Sequence, residues 1–281
     1  MAAIFRSFEE SMMSRTRNKT RPGRKGELTG QLVIYSGFTF AIFLLLVSCS
    51  SLSIRISDSC EAGRRVPDGE IPTASDLAQD AYCAQKVIDA FAPDGVITIF
   101  GSARAKEDWP SYRLTREFAV LWTKEMGSRI PILTGGGPGI MEAGNRGAKE
   151  AGGVSLGFST YFGSGAERMN AFTTGGYMFA SFSQREAEMV DRAVAVVIAQ
   201  GGVGTEWEIF ETISKIQTRK RKNCPVVLLG SRADWQSLFD RIAFLESIRT
   251  VSAGDRNLLT VASTPQEAVF TIKKYISERG L

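Results

Sequence analysis

After residue 75 the chain alternates between segments in which hydrophobic residues recur at helical spacing and short runs of consecutive apolar residues. Segments with helical spacing lie near 75–91, 109–126, 139–151, 183–192 and 205–218. Between them stand short apolar runs at 96–100, 130–133, 154–158, 194–199 and 226–229. Short apolar runs separated by helices indicate parallel strands that are covered on both faces. The pattern therefore predicts an α/β fold, a Rossmann-like three-layer sandwich with a parallel sheet, which binds ligands beyond the carboxyl ends of its strands.

An apolar N-terminal segment precedes this domain. No charged residue occurs between Glu27 and Arg55, and the stretch is long enough to span a bilayer. A basic cluster comes before it, and the sequence that ends at Cys49 resembles a bacterial lipobox. We expect residues 1–55 to be a signal, a lipoprotein leader lipidated on Cys49 or a membrane anchor. The alternative is a mis-assigned start upstream of the mature protein.

The domain organisation follows from this leader and from the segment rich in turn-forming residues that comes after it. Residues 56–74 contain Pro and Gly without an apolar period, which is typical of a polar linker. The folded domain is expected to span 75–281. Seven basic and three acidic side chains within residues 1–30 account for the whole formal net charge of +4. The remaining chain is formally neutral, which argues against a nucleic-acid partner.

The chain has no histidine, and this absence excludes several kinds of site. Ser-His-Asp hydrolysis, Cys-His proteolysis and zincin chemistry all need an imidazole. The four cysteines are too scattered for a disulfide framework and form no CxxC pair, so we expect Cys83 and Cys224 to pack as small apolar residues. No metal and no cofactor is expected. Proton transfer would fall to Asp, Glu, Lys, Tyr or solvent.

Three glycine-bearing turns follow predicted strands, at Gly101–Arg104, Gly135–Glu142 and Gly201–Thr205. Glycine lets the backbone approach a phosphate, and the helix that follows offers unpaired N–H groups. A single such turn is often only structural, but two dense ones in a small domain favour phosphate binding. Neither dense turn has the Lys-Ser/Thr ending of a P-loop or the GxGxxG spacing of a dinucleotide site, so an ATPase or an NAD enzyme is the poorer interpretation.

The helix predicted at 205–218 decides which carboxylate can face a ligand. Thr205 is expected to cap its N-terminus, and Glu208 lies in the first turn beside the glycine turn. Glu206 is interpreted as a complement to the helix dipole, and the same structural role is the alternative for Glu208. The proximity of Glu208 to the expected phosphate-sugar ligand favours a chemical role.

The segment Gly-Gly-Val-Gly-Thr-Glu-Trp-Glu at 201–208 resembles the GGxGTxxE core of the LOG family. This family was first known as cytokinin riboside monophosphate phosphoribohydrolases and is often labelled lysine decarboxylase. The resemblance covers about 94–232 and includes the turn at 135–142 and Arg185 on the preceding helix. Two positions depart from the family pattern: Gln200 stands where relatives have Pro, and Glu186 stands where they usually have Lys.

The resemblance implies hydrolysis of the N-glycosidic bond of a nucleoside 5′-monophosphate, either AMP-like or a cytokinin riboside monophosphate. Glu208 would stabilise ribosyl cation character and orient water, and Arg185 would be its electrostatic partner. The residues implied to hold phosphate and ribose are Gly135, Gly136, Gly137, Gly139, Gly201, Gly202, Val203, Gly204 and Thr205, with Ser102 and Arg104 lining the pocket. A pyridoxal-dependent decarboxylase is rejected, because no lysine occurs in the glycine turns.

Several alternatives stay open at this stage. Arg185 could be a surface residue paired with Glu186 or Glu188. Tyr161 or Phe162 could stack on a base. The two departures motivate a non-catalytic nucleotide-binding or sensing protein on the same fold. The family implies a homodimer or larger homo-oligomer and a cytoplasmic catalytic domain, whereas the leader implies membrane attachment or export.

Overall fold

A computed structural model describes residues 58–280, except for Ser128, Gly163, Ser164, Glu167, Arg168 and Ala253. The leader at 1–55 and Cys49 lie outside the described residues. Within the described part of the chain, no helix has the length and apolar character needed to cross a bilayer.

A parallel sheet forms the centre of the domain. Its strands are β1 (Val96–Phe100), β2 (Ile132–Thr134), β3 (Ser155–Phe162), β5 (Gly175–Phe179), β6 (Ala193–Ile198), β7 (Val226–Leu229) and β8 (Leu259–Ala262). They lie in the order β5-β3-β2-β1-β6-β7-β8, and every neighbouring pair is parallel. The short β4 (Gly165–Ala166) pairs antiparallel with the end of β3.

Helices cover both faces of this sheet. They are α1 (Ala74–Phe91), α2 (Pro110–Met126), α3 (Ile140–Glu150), α4 (Phe182–Asp191), α5 (Val203–Gln217), α6 (Gln236–Ser247) and α7 (Pro265–Arg279). Apolar side chains of α1, α4, α5 and α6 share one hydrophobic core with the sheet, and those of α2, α3 and α7 share the other. Two cores on opposite faces of a parallel sheet confirm the predicted three-layer α/β fold.

The predicted segments up to residue 229 all correspond to observed elements, but three details differ. Strand β2 begins two residues later than its apolar run, and β3 continues to Phe162. Strand β5 was not predicted, because its sequence opens with two glycines and only three apolar residues follow them. The segment 175–179 becomes a strand because it pairs with β3 along five residues.

Residues 58–73 lie along the domain. The Gly63 amide donates to the Met178 carbonyl (2.6 Å), and the Tyr161 hydroxyl donates to the Gly63 carbonyl (3.0 Å). These contacts bring Cys60 beside α1, where it forms a disulfide with Cys83. Cys83 does pack in the hydrophobic core as expected, but it is bonded to Cys60, and the sequence analysis expected no disulfide. Sequence spacing did not indicate the pair, because the pairing depends on how this polar segment packs.

Candidate functional site

The three glycine turns meet at the carboxyl edge of the sheet, as parallel strands require. The Ser102 amide, after β1, donates to the carbonyl of Gln200, after β6 (3.2 Å). The Ile140 amide, at the start of α3, donates to the Ser102 carbonyl (3.0 Å). A Cβ atom at Gly139 would lie 2.3 Å from that carbonyl oxygen, so this close approach requires glycine. Ser102 thus joins the two dense turns, and Arg104 is exposed beside it.

The turn at Gly135–Gly137 is buried and held from outside by an asparagine. The Asn170 side chain donates to the Gly136 and Gly137 carbonyls (3.0 Å each), and its backbone amide also donates to Gly136 (2.7 Å). The Gly136 amide donates to the Thr134 hydroxyl (2.9 Å). Sequence reasoning missed Asn170, because it lies in a loop with no motif. Its bonds fix the shape of the turn.

Two helices begin directly at these turns. Helix α3 follows Gly139 and helix α5 follows Gly202, and neither N-terminus has a side-chain cap. The first N–H groups of a helix have no partner within the helix and favour an anion, which is the property that the predicted phosphate site requires. Residues Gly201–Gly204 are exposed, so a ligand can reach them.

Thr205 does not cap α5, because the helix begins two residues before the predicted start. Its side chain is buried against Gly201. A Cβ atom at Gly201 would lie 2.0 Å from the Thr205 hydroxyl oxygen, so the pair packs only if residue 201 is glycine. The Gly-x-x-x-Thr spacing thus fixes the bend into α5, and Thr205 supports the turn from inside.

Arg185 is not a surface residue, since it is only 4% exposed. Its Nε donates to the Phe158 carbonyl on β3 (2.8 Å), and its Nη1 forms an ion pair with Glu186 Oε1 (2.9 Å). On its other side the guanidinium lies directly against Gly135. Of the two pairings considered from the sequence, Glu186 is the partner. Glu188 pairs instead with Arg192 (3.0 Å).

Glu186 and Glu208 form a carboxyl pair next to this arginine. Burial raises the pKa of Glu208 well above its usual range, the charge of Glu186 raises it further, and Arg185 opposes both effects. Burial also raises the pKa of Glu186, while Arg185 lowers it. Of the two carboxyl groups, Glu208 has its pKa raised the further, so Glu208 is the member of the pair that keeps a proton to higher pH.

The charge distribution of the site follows from this pair. The charged form of Glu186 is the better compensated of the two, because the adjacent Arg185 lowers the pKa of Glu186. Its other oxygen, Oε2, is buried and has no hydrogen-bond partner among the described residues. Glu211, one turn along α5, is paired with Lys215 (3.1 Å) and also raises the pKa of Glu208. The surroundings of Glu208 therefore favour its neutral form, where the sequence had indicated a free carboxylate.

The described residues contain no group of His, Cys, Asp and Glu side chains arranged to hold a metal ion. Cavities of about 430 and 200 Å³ lie elsewhere, the larger between α2 and α7 and the smaller between α5 and α6.

Comparison with known proteins gives one family. Its sequence model, described as possible lysine decarboxylase, matches residues 141–272, which include Arg185, Glu186 and the Gly201–Glu208 segment. No curated protein matches the chain.

Solved structures with a similar fold include two proteins described by their relation to the molybdenum cofactor. The cofactor-binding protein from Rippkaea orientalis is 22% identical, and the match covers 64% of this chain and 94% of that one, with a TM-score of 0.47. The carrier protein from Chlamydomonas reinhardtii is 23% identical, and the match covers 65% and 98%, with a TM-score of 0.49.

Proposed function

We propose that this chain, which matches the possible lysine decarboxylase family model over residues 141–272 and has LOG-like motifs, hydrolyses the N-glycosidic bond of a nucleoside 5′-monophosphate, releasing the free base and ribose 5-phosphate. The observation that carries this proposal is the buried Glu208 carboxyl, which lies in the helix that begins at the Gly201–Thr205 turn and has its pKa raised by burial and by Glu186. A carboxyl group with a raised pKa can donate a proton near neutral pH, which departure of a nucleobase requires.

The 5′-phosphate would bind at the uncapped start of α5, where the exposed backbone of Gly201–Gly204 offers amide donors at the positive end of the helix. The start of α3 adds its helix dipole, although the Ile140 amide already donates to the Ser102 carbonyl. Arg104 is exposed at the neighbouring turn and supplies a cation for the same anion. The turn at Gly135–Gly137 would hold the ribose.

Glu208 would act first as an acid and then as a base. Its proton passes to the departing base nitrogen while the bond from that nitrogen to C1′ breaks. The carboxylate that remains stabilises the oxocarbenium-like ribosyl group. It then accepts a proton from the water that attacks C1′, which restores neutral Glu208 and completes ribose 5-phosphate. The net reaction consumes one water and requires no cofactor.

Arg185 would act on Glu208 in two opposed ways, since its own charge lowers the pKa of Glu208 while its ion pair stabilises the charge of Glu186. Its ion pair holds Glu186 ionised, and the negative charge of Glu186 raises the pKa of Glu208. In relatives with lysine at position 186 the neighbouring charge has the opposite sign. The departure at Glu186 thus favours a version of this chemistry in which the acid form of Glu208 predominates.

A second candidate is a nucleotide-binding or sensing protein without turnover. The observation in its favour is the ion pair between Glu186 and Arg185. Because Glu186 neutralises the guanidinium, Arg185 is not available to pair with an anionic ligand. Both candidates bind a nucleoside monophosphate, so they differ only in the products.

The experiment incubates the purified protein with AMP and with other nucleoside monophosphates, and follows free base by chromatography and binding by calorimetry. The proposal expects base and ribose 5-phosphate in equal amounts, and loss of both products in Glu208→Gln. Saturable binding without base would reject hydrolysis and support the sensing protein.

A further inference from the structure

Three aromatic side chains form an exposed row at the carboxyl edge of the sheet. Phe162 ends β3, Phe182 is the first residue of α4, and Trp207 lies in the second turn of α5. The Phe162 and Phe182 ring centroids are 6.0 Å apart in an edge-to-face arrangement, and those of Phe182 and Trp207 are 5.5 Å apart and stacked. The three residues are 45%, 39% and 40% exposed, respectively. We call them the aromatic row.

The hydrophobic cores do not account for this row. The buried apolar stripe of α5 consists of Ile209, Ile213 and Ile216, and Trp207 lies off it. Phe182 directly follows Ser181, whose hydroxyl already caps α4. The rings therefore pack on one another at the surface and leave apolar area exposed to water, which is unfavourable unless a ligand covers it.

Two members of the aromatic row lie next to residues of the proposed reaction centre, Phe182 next to Arg185 and Trp207 next to Glu208. The Arg185 guanidinium carbon lies 5.4 Å from the Phe182 ring centroid, so the inner side of that ring is occupied by a buried cation. Trp207 directly precedes Glu208 in α5. A nucleotide held by its phosphate at the start of α5, with its glycosidic nitrogen at Glu208, would have its base beside these rings.

We propose that the aromatic row binds the planar base of the nucleotide by stacking on its exposed faces. Base stacking on aromatic side chains tolerates any base, because each base has a π-face. The three rings offer no hydrogen-bonding group except the Trp207 indole N–H, so the site would select for a planar aromatic base and discriminate weakly among bases. This inference rests on the proposed nucleotide function and identifies the part of the ligand that each element contacts.

The test compares AMP with ribose 5-phosphate, which lacks the base, in the wild-type protein and in Trp207→Leu. Binding is measured by calorimetry, and the quenching of tryptophan emission by each ligand is recorded. We expect AMP, and not ribose 5-phosphate, to quench the emission of Trp207. In Trp207→Leu, AMP should bind roughly tenfold more weakly and ribose 5-phosphate should bind unchanged.

Two further variants separate stacking from folding. Trp207→Phe keeps a ring and should restore most of the AMP affinity. Phe270→Leu removes a ring that is 69% exposed on α7, far along the sequence from the row, and should change neither ligand. Equal loss of both ligands in Trp207→Leu would overturn the proposal, as would unchanged AMP binding.

The outcome is independent of turnover. A base-dependent loss of affinity without any released base would support the aromatic row while rejecting hydrolysis. Base release with an unchanged AMP affinity in Trp207→Leu would support hydrolysis and reject the row. A third outcome combines two measurements on Trp207→Leu: sedimentation shows a changed molar mass, and the ratio of the AMP affinity to the ribose 5-phosphate affinity is unchanged. This outcome would assign the aromatic row to a contact between copies of the chain and would also overturn the proposal.

Discussion

The Arg185 guanidinium lies against Gly135 so closely that a Cβ atom at position 135 would fall 2.2 Å from Nη2. Arg185 comes from α4 and Gly135 from the turn after β2, and the two meet although their elements follow different strands. A side chain at position 135 would therefore have to displace a buried cation from its bonds with Phe158 and Glu186.

We accordingly predict that Gly135→Ala disrupts the site through Arg185. Displacing a buried charge that has a hydrogen bond and an ion pair should lower the free energy of unfolding by about 2–4 kcal/mol. The measurement is urea unfolding. Gly204→Ala is the stability control, because its Cβ atom would meet no atom within 4 Å. Alanine at this helical position should raise stability by up to about 1 kcal/mol. Equal effects of the two substitutions would contradict this account.

Glu208→Gln should abolish turnover and increase stability at alkaline pH. Loss of a general acid and base lowers the rate by about 10²- to 10⁴-fold. The pKa of Glu208 in the folded protein lies above that of an unfolded chain, so its favourable contribution is present at low pH and is lost as the pH rises through the raised pKa. Glutamine stays neutral, so the variant should be more stable than the wild type at pH 8 and equally stable near pH 4. Thermal unfolding at both pH values measures the difference.

Glu186→Gln should shift the alkaline limit of activity to lower pH. The charge of Glu186 raises the pKa of Glu208, and so does Glu211, while Arg185 lowers it. Removing the Glu186 charge leaves Arg185 uncompensated and lowers the pKa of Glu208, so its acid form disappears at a lower pH. The measurement is the pH dependence of kcat/KM for AMP. An alkaline limb at the same pH in both proteins would show that Glu186 does not set the protonation of Glu208.

Reduction of the disulfide should destabilise the domain without removing the site. Cys60 and Cys83 are 23 residues apart, and a crosslink over a loop of this length stabilises a fold by about 2–4 kcal/mol. Cys60→Ser, or a reductant, should lower Tm and leave AMP binding unchanged. Cys224, a buried free cysteine, provides the control: Cys224→Ser should respond to reductant as the wild type does. A Tm of the wild type that is insensitive to reductant would argue against the crosslink.

The sequence was sufficient for the parts of the protein that local pattern determines. Apolar runs and glycine turns predicted the parallel sheet, its strands up to β7 except β4 and β5, and the edge where the turns meet, because hydrophobic period and backbone freedom are local properties. The burial of Arg185 could not be obtained in this way. It depends on β3 supplying a carbonyl and on Gly135 leaving space, and both are distant in the chain.

The protonation of Glu208 was equally hidden in the sequence. Glu186 was noted as a departure from the family pattern, but only the packing of α4 against α5 brings the two carboxyl groups together. Asn170 was missed for the same reason, since its role depends on contacts with other elements. Of the aromatic row, only Phe162 was considered from the sequence, because its contact with Phe182, and that of Phe182 with Trp207, depend on how three elements pack. Strand β5 was missed because its two glycines interrupt the apolar pattern that predicts a strand, whereas its pairing with β3 is visible only in the structure.

The disulfide also determines how a mechanical load would enter the domain. Tension applied to the chain ahead of Cys60 passes through the sulfur bridge to Cys83 in the middle of α1. Residues 61–82 carry none of it, although they include the contacts of Gly63 and the ion pair of Arg64 with Asp76 (2.8 Å). A force applied from the N-terminal side would thus act on a helix packed in the core. The backbone around Gly63, which accepts a hydrogen bond from the Tyr161 hydroxyl, would bear no tension.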